Sequence, residues 1–482
     1  MGFQAHFFCV IILYTKTREG WSIMTVFEKI KHFYREPEPA EPITEQEQID
    51  KTYAQWRMRI FLSMFFGYIV FYLCRKNISV ALPAIQDALG YSKLELGILG
   101  SSLYFSYAAG KFINGIIADN TNAKRILPSA LFISALVNLL FVICAYSISP
   151  KLTFCGFSVL LMLLAFFWGV NGWFQSMGFP PIAKNLSYWF ANKERGVKWS
   201  LWSSSHEVGT YLSMILSGFL ITHYDWQSVF YVPAILAMIF CFFFYKNLQD
   251  KPASIGLPDI EKYKDPDYVE PVKEKDEEDN YTYADIFKKY IIKNPTVWLL
   301  AIAYIFVYVV RYGTIDWLVM YQVDMKHYEI AEAAKIISFL PLVGVLGTIG
   351  AGFVSDKLFK GKRAPVNIIC LTLLAICIYL FSINKVPFMD YVYVSAIGVF
   401  TCGPQVLIGG LSAVESSSKK VASAVTGFCG MFGYIGSILS GVGTGFIIDK
   451  FSWNSAINFW ILSALISLGI CLILLKKEVK KA

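Results

Sequence analysis

Two apolar stretches of this chain each carry a tyrosine, a second tyrosine four residues on and an arginine three residues later: Tyr68, Tyr72 and Arg75, then Tyr304, Tyr308 and Arg311. On a helix that spacing stacks all three side chains on one face. An arginine in hydrocarbon costs at least a few kcal/mol, so it faces a bundle interior or an aqueous cavity. Guanidinium is planar, permanently charged and forked, and two of them approaching from opposite sides can hold the oxygens of a phosphate. The competing role is structural, with each arginine paired to an acid or capping backbone carbonyls. Asp316, five residues after Arg311, is badly placed on the helix surface to serve, and no acid lies within a turn or two of Arg75. The expectation is a buried anion site.

Other groups fit such a site. Lys76 follows Arg75 and points about 100° away around the helix, where it either attracts an anion or snorkels to an interface. His206 sits in a polar run with Ser203, Ser204, Ser205 and Glu207; it changes charge near neutral pH and can donate to a phosphate, or is simply hydrogen-bonded. The tyrosines on the arginine face offer hydroxyl donors to oxyanions and rings to the apolar face of a sugar. No phosphate-binding G-x-x-x-x-G-K-[ST] loop, metal-ligand cluster or nucleophile-base pair is present, so neither an ATP-driven pump nor an enzyme is expected, and no cofactor.

Two walls are needed, and the sequence repeats itself to supply them. Gly115-x-x-x-Asp119 places its aspartate 44 positions after Arg75, and Gly352-x-x-x-Asp356 places its own 45 after Arg311. Basic pairs follow, Lys124-Arg125 and Lys362-Arg363. Asp119 with Arg125, and Asp356 with Arg363, read as conformational latches, the carboxylates complementing helix N-termini. Hydropathy places spans near 58–82, 94–117, 126–146, 154–175, 197–222 and 228–246, then 296–321, 336–356, 366–383, 390–412, 420–446 and 455–475. The expected fold is an all-α membrane protein, twelve transmembrane helices in two pseudo-symmetric six-helix bundles. Its expected parts are a tail at 1–55, a bundle at 56–249, a linker at 250–294, a second bundle at 295–475 and a basic tail at 476–482.

Composition agrees: 56% of the 482 residues are hydrophobic and 16% charged, which excludes a soluble enzyme of ordinary surface. Lys and Arg of the short loops gather on the side of Lys124-Arg125, Lys193-Arg195, Lys357-Arg363 and Lys419-Lys420, which makes that side, and both termini, cytoplasmic. The net charge of +8 then reflects topology and no nucleic-acid partner. Segments 35–50 and 252–280, rich in Pro and Glu or in mixed charge, cannot fold alone and read as tail and linker. The apolar stretch 7–14 is too short to span, and Met24 is an alternative start.

At this point the residues carry a family. The paired G-x-x-x-D loops resemble the signature loop of the major facilitator superfamily. FGYIVFYLCRKN (66–77), VVRYGTIDW (309–317) and SSHEVG (204–209) resemble its organophosphate:phosphate antiporter branch, and within it the hexose-phosphate transporters and sensors. The resemblance puts the phosphate-binding arginines on Arg75 and Arg311, the substrate histidine on His206, and adds Tyr107 and Tyr434 to Tyr68, Tyr72 and Tyr308 as site tyrosines. Where glycerol-phosphate relatives carry a tyrosine ahead of a Gly-Pro pair, this chain has Thr401-Cys402, a departure that favours a different organophosphate. The resemblance implies a monomeric carrier in the bacterial inner membrane that exchanges a sugar phosphate, glucose 6-phosphate foremost, for inorganic phosphate. A membrane sensor acting through a partner histidine kinase and a proton-coupled carrier are the alternatives. Two bare guanidiniums facing each other in a dry site are expected to resist reorientation until an anion joins them.

Overall fold

Inside a bilayer no water satisfies the backbone, so continuous helices are the form open to long apolar runs. A computed structural model describes residues 12–17, 20–154, 156–265, 288–416 and 422–481. The start of the apolar stretch 7–14 and the linker centre, 266–287, lie outside the described residues. Twelve long helices run through the rest: α1 Gln46–Leu89, α2 Lys93–Asp119, α3 Ala123–Ser147, α4 Val159–Ser176, α5 Asn192–His223, α6 Ser228–Asn247, α7 Pro295–Lys326, α8 Ile330–Lys357, α9 Ala364–Ile383, α10 Pro387–Val406, α11 Ala422–Ile438 and α12 Trp453–Lys481. A further helix, Phe179–Trp189, continues α4 beyond a break at Met177 and Gly178 that precedes Pro180 and Pro181. After α11 the chain passes through a π turn, Leu439–Gly443, into Thr444–Lys450.

Ten of these helical segments are long and apolar enough to cross a membrane. The expected spans 94–117 and 197–222 are the long helices α2 and α5, which fall short of that apolarity because they carry lysine, glutamate and serine, including the Ser203–Glu207 run. Local signals mark the ends: Ser92 and Glu95 form a capping box at the start of α2, and Asn294 with Pro295 opens α7.

The packing repeats with a period of six helices. α1 packs on α5 and α6 as α7 does on α11 and α12; α2 packs on α4 as α8 does on α10; α3 lies against α4 and α6 as α9 does against α10 and α12. The two sets meet where α2 lies on α11 and its continuation to Lys450, where α5 lies on α8, and where α1 crosses α7. Arg75 and Arg311 belong to that last pair.

Of the segment 35–50, expected to be a tail, residues 46–50 open α1 and residues 35–45 form a strap. Ala40 N donates to Ala253 O (2.9 Å) and Ile43 N to Gly256 O (2.8 Å), tying it to the described part of the linker, where Pro252–Ile255 and Ile260–Lys264 are short helices. Gly256 has φ 76°, and a β-carbon there would lie 2.3 Å from the Glu41 carbonyl oxygen. Two segments that cannot fold alone pair with each other and with the charged ends of the helices. Glu36 bridges Lys184 (2.6 Å) and Lys251 (2.8 Å). Burial alone would raise the Glu36 carboxyl, but the hydrogen bonds and charges of Lys184 and Lys251 outweigh it and hold it below the usual carboxylate range.

A depressed carboxylate adds stability above its ordinary pKa and loses it as pH falls through the lowered one. Replacing Glu36 with Gln is therefore expected to speed amide exchange at Ala40 and Ile43 roughly fivefold at neutral pH, the scale of a part-exposed ion pair. Wild-type protein should lose the same protection only on acidification below the ordinary carboxylate range, as exchange-coupled mass spectrometry would show.

Candidate functional site

Both arginines point inward, 4% (Arg75) and 7% (Arg311) exposed, but their surroundings differ. The Arg75 guanidinium lies 4.3 Å from the centre of the Tyr107 ring and 5.2 Å from that of Tyr72, a cation held by aromatic faces. Its Nε has no hydrogen-bond partner, and Arg75 makes no ion pair among the described residues. Tyr107 packs on Tyr434 (ring centres 4.8 Å), which packs on Tyr308 (6.0 Å). A narrow cavity runs from Arg75 past Ser79, Tyr104 and Asp316 towards Gly97 and Gly441.

Arg311, at the equivalent place on α7, has polar partners. Its Nη2 donates to Glu207 Oε1 on α5 (2.9 Å), and its Nη1 to the Gln405 side-chain carbonyl and the Cys402 sulfur (3.3 Å). The same Glu207 oxygen lies 3.1 Å from His206 Nε2. Two bare guanidiniums in the empty site were the expectation, and the structure corrects it: Arg311 carries a counter-ion. The acid comes from a helix more than a hundred residues away, so spacing along α7 gives no sign of it.

Lys76 neither attracts an anion from a free position nor snorkels. Its Nζ is bound to Asp316 Oδ1 on α7 and to the Tyr104 hydroxyl, each 2.8 Å away. Ser79 (2.8 Å) and Tyr104 also donate to Asp316. Asp316 is badly placed for Arg311 on its own helix but faces α1 across the contact. His206 lies beside the Tyr72 ring, 5.9 Å between ring centres, and its Nδ1 contacts the Ser203 carbonyl. Tyr68 is more remote, packed on Trp202 (4.9 Å) and on Tyr72 (5.4 Å). The Tyr304 hydroxyl donates to that of Tyr308 (3.1 Å), and Tyr312, which follows Arg311, completes the aromatic wall over Lys76.

Lys111 was not singled out by sequence, although it stands four residues after Tyr107 and so on the same face of α2. Its Nζ is 5.4 Å from the centre of the Tyr434 ring. Arg75, Lys76, Lys111 and Arg311 thus face Glu207 and Asp316, an excess of two positive charges before any proton on His206 is counted. A phosphate monoester carries about −1.5 to −2 at neutral pH.

The expected latches divide. Arg363 pairs with Asp356 and, at 2.8 Å, with Glu415 at the end of the neighbouring helix. Asp119 and Arg125 do not pair: Asp119 is exposed, and Arg125 donates to the Phe33 carbonyl with its guanidinium 4.8 Å from the Phe33 ring. The incoming N-terminal segment offers Arg125 a nearer partner. A carboxylate that complements a helix N-terminus across the two sets of helices does exist, at the other end of α2. Asp449 accepts from Lys93 N (3.1 Å) and Leu94 N (2.7 Å), and Lys93 pairs with Asp324 at 2.5 Å.

Residues 64–441 match the model of the Major Facilitator Superfamily. The chain is 38% identical over 434 residues to a probable hexose phosphate transport protein of Chlamydia pneumoniae, covering 88% of this chain and 92% of that one. It is 33% identical over 426 residues to the membrane sensor protein UhpC of Escherichia coli, covering 88% and 93%. In fold it is similar to a bacterial homologue of the human lysosomal transporter Spinster in an inward-facing conformation, with TM-score 0.64 and 17% identity over 87% of this chain and 95% of that one.

The Lys76–Asp316 pair joins α1 to α7 with both side chains largely buried, and removing one partner strands a charge. Lys76→Ala is expected to destabilise the protein by about 3–5 kcal/mol, and Asp316→Ala added to it to recover most of that loss. Thermal unfolding of the purified wild type, both single variants and the double variant reads this; a double-variant loss equal to the sum of the two single losses would show that the pair carries no coupling.

Proposed function

Because the chain belongs to the Major Facilitator Superfamily, and within it to the organophosphate:phosphate antiporter family, we propose that it exchanges an external sugar phosphate for internal inorganic phosphate by alternating access. The observation that carries this reading is the pair of buried guanidiniums on α1 and α7, at equivalent places where the two sets of helices meet. A dianionic phosphate between them contacts both sets at once and offsets the excess charge of the cluster. Empty, the cluster opposes the approach of one set to the other, because like charges repel strongly where the dielectric is low. Occupied, it draws them together, so each passage is coupled to a bound anion and the gradient of one phosphate species drives the other.

Arginine suits this task and lysine does not, since only the planar fork meets two phosphate oxygens in parallel. The aromatic wall of Tyr72, Tyr107, Tyr308, Tyr312 and Tyr434 gives a sugar hydroxyl donors and ring faces. Cys402, beside Arg311, occupies the region where glycerol-phosphate relatives carry a bulkier tyrosine, and the room favours a hexose phosphate such as glucose 6-phosphate. The protein works as a monomer in the bacterial inner membrane with both termini cytoplasmic. The site of Arg75, Arg311, His206 and the tyrosines is the substrate site, and the Asp356–Arg363–Glu415 cluster braces the cytoplasmic ends.

The likeness to a membrane sensor favours one second reading, in which the same site binds hexose phosphate and signals without transport. Labelled phosphate exchange in proteoliposomes separates the two. On the carrier reading, wild-type protein exchanges internal labelled phosphate for external glucose 6-phosphate. Arg75→Lys and Arg311→Lys each lose it by at least about a hundredfold, as expected for a lost bidentate charged contact, while remaining folded. Wild-type rates in either variant would remove the site, and binding without exchange in the wild type would favour the sensor.

A further inference from the structure

The two arginines are equivalent by position and unequal by partner, and the charged part of that inequality comes from one residue. Gly209 on α5 and Gly436 on α11 do the same packing work: a β-carbon on Gly209 would lie 2.8 Å from Tyr72 Cβ, and one on Gly436 would lie 3.0 Å from Tyr308 Cβ. Tyr72 and Tyr308 are themselves equivalent in the repeat. Counting back two residues from each glycine gives Glu207 and Tyr434. Where α11 presents a phenol on the Arg75 side, α5 therefore presents a carboxylate to Arg311.

That carboxylate is inside the site, 4% exposed, and bound to the fork of a guanidinium through charge-assisted bonding. A phosphate gripped by the fork of Arg311 needs two of its N–H donors, and Glu207 holds one of those on Nη2. We propose that Glu207 is a built-in surrogate for the substrate phosphate: it holds Arg311 in the empty carrier, competes with phosphate for it, and gives way when phosphate binds. His206 Nε2 lies 3.1 Å from the same Oε1, and when that nitrogen carries a proton it can retain the carboxylate after it leaves Arg311. Gln405 and Cys402, the other acceptors on Arg311, are uncharged, and Arg75 has no such competitor among the described residues.

Two consequences follow for a carrier of the proposed kind. Affinity for phosphate is set below what two open arginines would give. Part of the charge that opposes empty reorientation is already offset, so exchange is accompanied by a slow net flow that a strict exchanger lacks. This second consequence rests on the exchange reading above; the first does not.

The test uses the full chain and inorganic phosphate as the probe. Binding is measured by calorimetry on purified protein, and the ratio of net phosphate efflux to phosphate self-exchange is measured in proteoliposomes. For Glu207→Gln the dissociation constant is expected to fall by roughly ten- to a hundredfold, the scale of a competing hydrogen bond to a charged group, and the efflux-to-exchange ratio to fall with it. A dissociation constant unchanged or weakened would overturn the proposal, and because loss of a nearby negative charge by itself favours an anion, the gain must also appear in Glu207→Asp, which keeps the charge. Should the Gln variant not fold, Glu207→Asp, which withdraws the carboxylate by one methylene, decides in the same way: tighter phosphate binding supports the surrogate role, and equal or weaker binding rejects it. If wild-type protein binds phosphate but shows no exchange, the transport reading falls while the binding comparison still judges Glu207.

Discussion

The structure turns on the burial of arginine in a membrane protein at a place where two sets of helices meet. A guanidinium cannot shed its proton, so its charge must be met by aromatic faces, by an acid or by a guest. Arg75 has the first solution, resting on Tyr107 and Tyr72. Arg311 has the second, with Glu207. Neither arrangement satisfies the whole cluster, because Lys76 is already bound to Asp316 and Lys111 adds a further cation by Tyr434. What remains is an excess of positive charge at the seam of the fold, and a seam held that way responds to anions. The helices, their glycines and their caps place that excess where movement of one set against the other changes its cost.

The six-helix repeat gives the site its two walls, and departures from the repeat give it direction. The equivalent of Lys76 on α7 is Tyr312, and the equivalent of Tyr434 on α11 is Glu207 on α5. One wall thus carries an arginine beside a lysine and phenols, the other an arginine beside a carboxylate. The same unevenness shows at the ends of the helices. Asp449 and Asp324 fasten the Lys93 end across the two sets, whereas at the opposite end Arg363 binds Asp356 and Glu415 within one set and Asp119 stays exposed. Among the described residues, charged contacts tie the two sets of helices together at the Lys93 end of the seam and not at the opposite end.

Much of this is legible in sequence, for reasons that are local. Helices in hydrocarbon announce themselves by length and apolarity, and a face bearing Tyr, Tyr and Arg at i, i+4 and i+7 announces itself by periodicity. Partners across helices do not. Whether Asp316 meets Arg311, Lys76 or water depends on the register of α1 against α7, which no spacing within either helix records. Glu207 next to His206 could only be read as a neighbour of His206, and its reach to Arg311 depends on the close approach that Gly209 allows. Polar lining also hides helices: α2 and α5 are as long as the rest, yet the residues that make them useful to the site make them less apolar. The strap at 35–45 was missed for a similar reason, since its order comes from Lys184, Lys251 and the linker and not from its own composition.

On the proposed reading, one anion is shared by Arg75 and Arg311. Arsenate, which has the shape and charge of phosphate and scatters anomalously at the arsenic edge, locates it directly in crystals of the full chain. The expected result is a single strong anomalous peak within hydrogen-bonding reach of both guanidiniums, with Glu207 moved off Arg311. A peak elsewhere, or none beside an Arg311 still bound to Glu207, would contradict it.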